Sequence, residues 1–181
     1  MRTFISLPVA EEVKTKVKNA QKQIQANNKG PDIKWTKPEQ MHVTLKFIGD
    51  IDQDDIGDLS QIIEKASGSI RPFELSYFKL DVFPHPDNPS VIIDKLKESS
   101  GRESFELEKN LRAYLKKYGF QFDKKKWIPH VTLGRVKEDN ADIRFPNTNQ
   151  EFSWEVNEIH LKKSELSQQG PGYTTIESFK I

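Results

Sequence analysis

An α+β domain of two similar lobes is the fold class that this 181-residue sequence predicts, and three observations carry the expectation. Helical and β-type hydrophobic patterns alternate along the chain, no linker or low-complexity stretch divides it, and the tetrapeptide His-Val-Thr-Leu occurs twice. The copies are His42-Val43-Thr44-Leu45 and His130-Val131-Thr132-Leu133, 88 positions apart. Side chains alternate across a strand, so His42 and Thr44 share one face, as do His130 and Thr132, while the aliphatic pairs turn toward a core. Each copy follows a helical segment. The expected architecture is one bilobal domain over residues 1–181, with antiparallel-type sheets on either side of a central cleft.

Thr3 to Leu7 reads as a buried strand. The helix after it, from about Val9 to Asn28, repeats Val9, Val13, Val17, Ala20 and Ile24 at three- and four-residue spacing, with Pro8 to open it and Gly30 to close it. The first motif strand continues through Phe47 and Ile48 and stops at Gly49-Asp50. A second helix, about Gln53 to Ala66, carries Ile56, Leu59, Ile62 and Ile63 on its apolar side, slightly weakened by Gly57. Strands follow at Phe73 to Phe83 and Val91 to Leu96, and the prolines of the intervening Pro84-His85-Pro86-Asp87-Asn88-Pro89 forbid a regular ladder there. A third helix, about Glu103 to Tyr118, buries Phe105, Leu107, Leu111, Leu115 and Tyr118 and ends at Gly119. After the second motif strand and a loop around Pro146-Asn147-Thr148-Asn149, strands are expected at Phe152 to Leu161 and Tyr173 to Ile181. The Gly170-Pro171-Gly172 turn joins them.

Hydrophobic residues make up 35% and charged residues 30%, a very polar chain that still carries 11 Phe, 3 Trp and 4 Tyr, enough to fold around a core. The formal charge of +1 supplies no global field for nucleic acid, so anion binding has to come from a local arrangement. The absence of cysteine excludes thiolate nucleophiles, disulfides and cysteine-ligated metals. The N-terminal stretch through Pro8 is too short for a signal peptide and no apolar run approaches membrane-spanning length, so a cytoplasmic monomer without membrane contact is expected.

Two imidazoles flanking one atom suit in-line displacement at phosphorus, which needs a base for the incoming oxygen and an acid for the departing one. With an unperturbed pKa near 6.5, one histidine can be neutral while the other is protonated. The hydroxyls of Thr44 and Thr132 can donate to non-bridging oxygens, and Arg135 can add charge if a bend or bulge after Gly134 turns it inward.

These residues resemble the 2H phosphoesterases, named for two His-x-Thr/Ser motifs, and within them the bacterial and archaeal RNA 2′,3′-cyclic phosphodiesterases, also called 2′-5′ RNA ligases or LigT-like proteins. The resemblance runs through Arg2-Thr3-Phe4-Ile5-Ser6-Leu7, Met41 to Gly49, Phe83-Pro84, Pro129 to Val136, Ile159 to Leu166 and Gly172-Tyr173. It implies a bilobal LigT-like fold with no metal or cofactor. It also implies hydrolysis of RNA-terminal 2′,3′-cyclic phosphate to 2′-phosphate, with ligation as the reverse direction. By motif match, His42 and His130 are the catalytic pair, and Thr44, Thr132 and Arg135 hold phosphate. Where relatives often have Arg and Trp after Phe-Pro, this chain has Ser90-Val91-Ile92-Ile93-Asp94.

A non-catalytic RNA-end or nucleotide-binding module with the same pocket is the alternative, but phosphate binding needs no proton-transfer pair and is better served by Lys or Arg. His85, between two prolines, reads as a solvated loop residue, and His160, between Ile159 and Leu161, as an exposed strand residue. Neither has the short spacing of a metal pair. Lys124-Lys125-Lys126 reads as a solvated run or an RNA contact, with Trp127, Trp35, Tyr77 and Phe4 as candidates for stacking or for the core. No Gly-x-Ser-x-Gly is present to suggest a serine hydrolase.

Overall fold

The alternation of apolar residues along short β-rich runs, interrupted by three amphipathic helices, folds into two antiparallel sheets with the helices against their outer faces. The computed structural model describes residues 1–147, 150–167 and 170–181. In chain order the elements are β1 (Arg2–Pro8), α1 (Glu11–Asn27), β2 (Ile33–Trp35), β3 (His42–Asp50), α2 (Ile56–Ser67), β4 (Phe73–His85), β5 (Asn88–Glu98), α3 (Glu103–Lys117), β6 (His130–Val136), β7 (Ser153–Val156), β8 (Glu158–Ser167) and β9 (Gly170–Lys180). One sheet has the order β3-β1-β8-β9 and the other β2-β6-β5-β4-β7. This is the expected α+β class. The lobes, however, are not consecutive halves of the chain, which changes sheet four times on its way to the C-terminus.

The core follows the predicted faces. Val13, Val17, Ala20 and Ile24 of α1, Leu59, Ile62 and Ile63 of α2, and Leu107, Leu111 and Leu115 of α3 are all buried. Phe105 and Tyr118, expected on the buried face of α3, are instead exposed: Phe105 lies in the first turn against Trp127, and Tyr118, just past the last turn, accepts a 2.8 Å bond from Lys65 of α2. Gln21 of α1 donates to the Leu133 carbonyl at 2.8 Å and ties that helix to β6. α2 and α3 pack on each other, and Asn110 donates to the Ala66 carbonyl at 3.1 Å. α3 also reaches β3 through a buried ion pair, Lys46 Nζ to Glu108 Oε1 at 2.6 Å, to which Arg112 adds two bonds on the same carboxylate.

Several boundaries differ from expectation for identifiable reasons. Pro8 closes β1 opposite His42 and the helix starts at Glu11; the helix ends at Asn28, whose amide donates to Ile24 and Arg144 carbonyls and accepts from the Arg144 N–H. Gly30 is not needed for the stop. The Gln53 end of the second helix is a 3-10 turn that precedes α2. β4 and β5 stay paired through Pro84↔Pro89 and His85↔Asn88, because both prolines lie beyond the stretches paired to β7 and β6, where a missing N–H removes no ladder bond. The single strand expected from Phe152 to Leu161 is two strands in different sheets, divided at Asn157, whose carbonyl accepts from Ile181. Gly170, Pro171 and Gly172 belong to the β9 ladder rather than forming a turn; residues 168 and 169, and Thr148 and Asn149 of the expected loop, lie outside the described residues.

Behind β6 lies one buried carboxyl group. Asp94 of β5 pairs with Val131, faces the core with it, and accepts a 3.1 Å bond from Gln150. Burial pushes its pKa up to about 7.

Candidate active site

Both motif strands begin at their histidine. His42 Nδ1 lies 2.7 Å from the Gln40 carbonyl, and His130 Nδ1 lies 2.7 Å from the Ile128 carbonyl. A carbonyl only accepts, so in each ring Nδ1 carries the hydrogen and Nε2 presents a lone pair. Packing fixes the ring planes. Tyr173 meets His42 edge-on at 5.1 Å with Phe4 at 4.9 Å, and Phe83 meets His130 edge-on at 5.1 Å.

A register shift follows each threonine. On β3, Ser6 pairs with Thr44 and Ile5 with Lys46, leaving Leu45 extra; on β6, Ile93 pairs with Thr132 and Ile92 with Gly134, leaving Leu133 extra. These are β-bulges at equivalent places, and each reverses the alternation beyond it. The residue five past each histidine therefore turns to the cleft: Arg135 on β6, Phe47 on β3. The expected turn at Arg135 is thus present, but the bulge precedes Gly134 instead of following it. Gly134 answers a different constraint, since a Cβ there would lie 2.9 Å from Ile33 and 3.2 Å from Trp35, which cross it from β2.

One cavity of about 210 Å³ collects all five candidate residues, His42, Thr44, His130, Thr132 and Arg135. Phe47, Phe83, Tyr173 and Trp35 also line it. Among the described residues, neither threonine hydroxyl has a protein hydrogen bond and Arg135 has no ion pair, so their donors are available to a ligand. Strict alternation hides Phe47, which only the bulge exposes. Phe83 and Tyr173 stand in sequence stretches already named, but nothing in their local pattern points to the cleft.

The electrostatics differ from the unperturbed expectation. Burial lowers the pKa of His42 to about 4, with Lys162, His130 and Arg135 adding repulsion; burial also lowers His130, with Arg135 contributing. Both imidazoles are therefore neutral at pH 7 in the free protein.

The other candidates separate clearly. His85 is solvent-exposed beside Asp87 at the tip of the β4–β5 hairpin. His160 departs from the exposed position expected of it: its side chain is 15% exposed and its Nε2 lies 3.3 Å from Glu158, because β8 is an inner strand. Trp127 is buried, and its indole N–H donates to the Thr44 carbonyl at 2.8 Å, so it holds the edge of β3 and is not a stacking surface. Phe4 is buried against His42. Lys124, Lys125 and Lys126 are exposed. Among the described residues no helix is long and apolar enough to cross a membrane.

Two sheets that each deliver a His-x-Thr pair to one cavity define a two-histidine phosphoesterase. The chain belongs to the LigT like Phosphoesterase family, whose model matches residues 7–93 and 96–173. It is 30% identical to the RNA 2′,3′-cyclic phosphodiesterase of Archaeoglobus fulgidus over 99% of this chain and 100% of that protein. The Bacillus subtilis RNA 2′,3′-cyclic phosphodiesterase is 27% identical over 98% and 95%. Among solved structures, TT0787 of Thermus thermophilus superposes with a TM-score of 0.86 at 26% identity, covering 99% of this chain and 97% of that one. E. coli LigT complexed with 3′-AMP shares the fold at 0.78 and 18%, with the same coverage.

Proposed function

We propose that this chain is a metal-independent RNA 2′,3′-cyclic phosphodiesterase that opens a terminal 2′,3′-cyclic phosphate to a 2′-phosphate. The observation that carries the reading is the pair of imidazoles, each with Nδ1 committed to a backbone carbonyl and Nε2 left free, in one small cavity with two unengaged hydroxyls and an unpaired guanidinium. In the reaction His130 Nε2 takes a proton from water as its oxygen bonds phosphorus, and the P–O3′ bond breaks as His42 Nε2 gives its proton to O3′. His42 gains that proton with the anionic substrate, and its low intrinsic basicity makes the imidazolium a strong donor. Thr44, Thr132 and Arg135 hold the non-bridging oxygens where charge accumulates. The same two groups in the same roles permit 2′-5′ ligation, with a 5′-hydroxyl in place of water bonding phosphorus as the P–O3′ bond breaks, and in exchanged roles they permit the reverse cleavage of that linkage. Its ligands are RNA ends and nucleotides bearing the cyclic phosphate, and the enzyme is a cytoplasmic monomer.

Two intact proton-transfer groups favour catalysis over a non-catalytic module that only holds RNA ends. The test is turnover of a 2′,3′-cyclic nucleotide with the product identified by phosphorus NMR against 2′- and 3′-phosphate standards, with and without EDTA. The expected product is the 2′-phosphate at an undiminished rate. A 3′-phosphate product overturns the choice of bond, and loss of activity with EDTA overturns the metal-free chemistry.

A further inference from the structure

The catalytic cavity is small. At about 210 Å³ it falls below the range of about 300–1,000 Å³ usual for whole small-molecule ligands, a volume that suits a cyclic phosphate ring better than a whole nucleotide. A second cavity of about 500 Å³ opens directly from it, sharing Thr44, Phe47, Phe83 and His130, and adds Lys125 and Lys126 to the lining. A third, also about 500 Å³, shares Lys126, Trp127 and Ile128 with the second and is lined further by Lys97, Arg102 and the rings of Phe78 and Phe105.

Aromatic side chains mark this path. Five large hydrophobic residues are exposed among the described residues, and three of them, Phe47, Phe78 and Phe105, line it. Their rings are held in place: Phe105 lies edge-on to buried Trp127 at 5.3 Å, and Lys97 Nζ sits 6.0 Å from the Phe78 ring centre. Phe47 and Phe83 come from opposite sheets and both border the first two cavities.

Charge along the path is positive. Lys125, Lys126, Lys97 and Arg102 have no ion pair among the described residues. The acidic neighbours are already engaged. Glu98 spends both oxygens on the start of α3, accepting from the Glu103 and Ser104 N–H groups and the Ser104 hydroxyl, and Asp123 Oδ1 accepts from the Lys125 N–H.

We infer that these connected cavities form a single-stranded RNA track, along which the strand bearing the cyclic phosphate runs 5′-ward from the two histidines. Exposed rings interleaved with unpaired cations are what a sequence-tolerant single-strand site requires, since every base has a face to stack and every linkage a charge to meet. The terminal nucleoside passes between Phe47 and Phe83, the next phosphates meet Lys125 and Lys126, and further nucleotides reach Phe105, Arg102, Phe78 and Lys97. The inference rests on the cyclic phosphodiesterase reading and specifies its substrate as an oligoribonucleotide rather than a free nucleotide.

The experiment compares kcat/KM for a 2′,3′-cyclic mononucleotide with that for oligoribonucleotides of increasing length ending in the same group. The expected result is a rise of about tenfold or more by four residues, with a steeper salt dependence for the longer substrates. Lys97→Glu combined with Arg102→Glu, both at exposed positions, should collapse the oligonucleotide-to-mononucleotide ratio toward one. Equal kcat/KM at all lengths, or a ratio indifferent to the charge reversal, overturns the track while leaving hydrolysis intact. If neither substrate turns over, the hydrolytic reading fails. The track is then decided by fluorescence anisotropy with a labelled 2′-phosphate-ended tetranucleotide: binding weakened about tenfold by the double variant upholds it, and binding that is absent or insensitive overturns it.

Discussion

β3 and β6 present the same front to the cleft: a histidine held by the carbonyl two residues back, a threonine, and a bulge immediately after it. Past the bulge they diverge. Where β6 sends Arg135 into the cavity, β3 sends Phe47, so one strand delivers charge to the cavity and the other a flat apolar surface shared with the neighbouring one. Their backs diverge as well. Behind β3 is the Lys46–Glu108 ion pair with Arg112, and behind β6 the buried Asp94 with Gln150, its pKa raised by burial. The lesson is that a repeated motif fixes the shared proton chemistry, while residues just outside it set what each strand adds.

The symmetric part should break symmetrically. His42→Ala and His130→Ala are each expected to lower turnover by about two orders of magnitude or more, with circular dichroism unchanged, and the double variant should be little worse than the poorer single one. Retained activity in either single variant removes the two-histidine mechanism. Next come the threonines. Thr44→Val and Thr132→Val should each cost about 1–3 kcal/mol of transition-state stabilisation, measured as kcat/KM.

The asymmetric part should separate kinetic constants. Arg135→Ala is expected to lower kcat by about tenfold or more, because its charge matters most where charge develops. Phe47→Ala should instead raise KM by several-fold with kcat near that of the parent. Equal effects of the two on kcat would erase the distinction between the strands.

pH should resolve front from back. Because kcat/KM reports ionisations of the free enzyme, where both histidines are depressed and the acid must still gain its proton, its alkaline limb is expected below pH 6.5, with that of kcat shifted upward by the bound anion. Coincident limbs above neutrality would contradict the buried, repelled imidazoles. For stability, the unfolded chain binds more protons at His42 between about pH 6.5 and 4, so stability falls as pH drops through that window. Asp94 acts oppositely. The folded state holds its proton up to about pH 7 whereas the unfolded chain loses it near 3.8, so stability falls as pH rises between them. Asp94→Asn should therefore stabilise the fold at pH 8 relative to pH 5, by on the order of 1–2 kcal/mol, in thermal melts at the two pH values.

Helix faces and both motif strands were legible in the sequence because they are written in local periodicity. Val13, Val17 and Ile24 need only their own spacing to mark the buried side of α1. The division at Asn157 was not legible, since Trp154 and Ile159 are both inward-facing β residues and only their partners, β4 and β1, assign them to different sheets. The same holds for Phe47. Its orientation depends on one unpaired residue, Leu45, and a bulge is a property of two strands rather than of one. The site's five predicted residues escaped this problem except for Arg135, where a bulge was anticipated but its position was not.

The pairing of β1 with β8 has a consequence for how the molecule is made. Thr3 meets Lys163 across about 160 residues of chain, and β1 is the inner strand against which β3 is laid. Closing so long a loop is entropically costly and slows folding, and on the ribosome the second edge of β1 stays unpaired until β8 has emerged. The five-stranded sheet can be assembled earlier, because its last strand is complete at Val156. One wall of the cleft thus waits for the other, and the two histidines are set against each other only after β8 has been made.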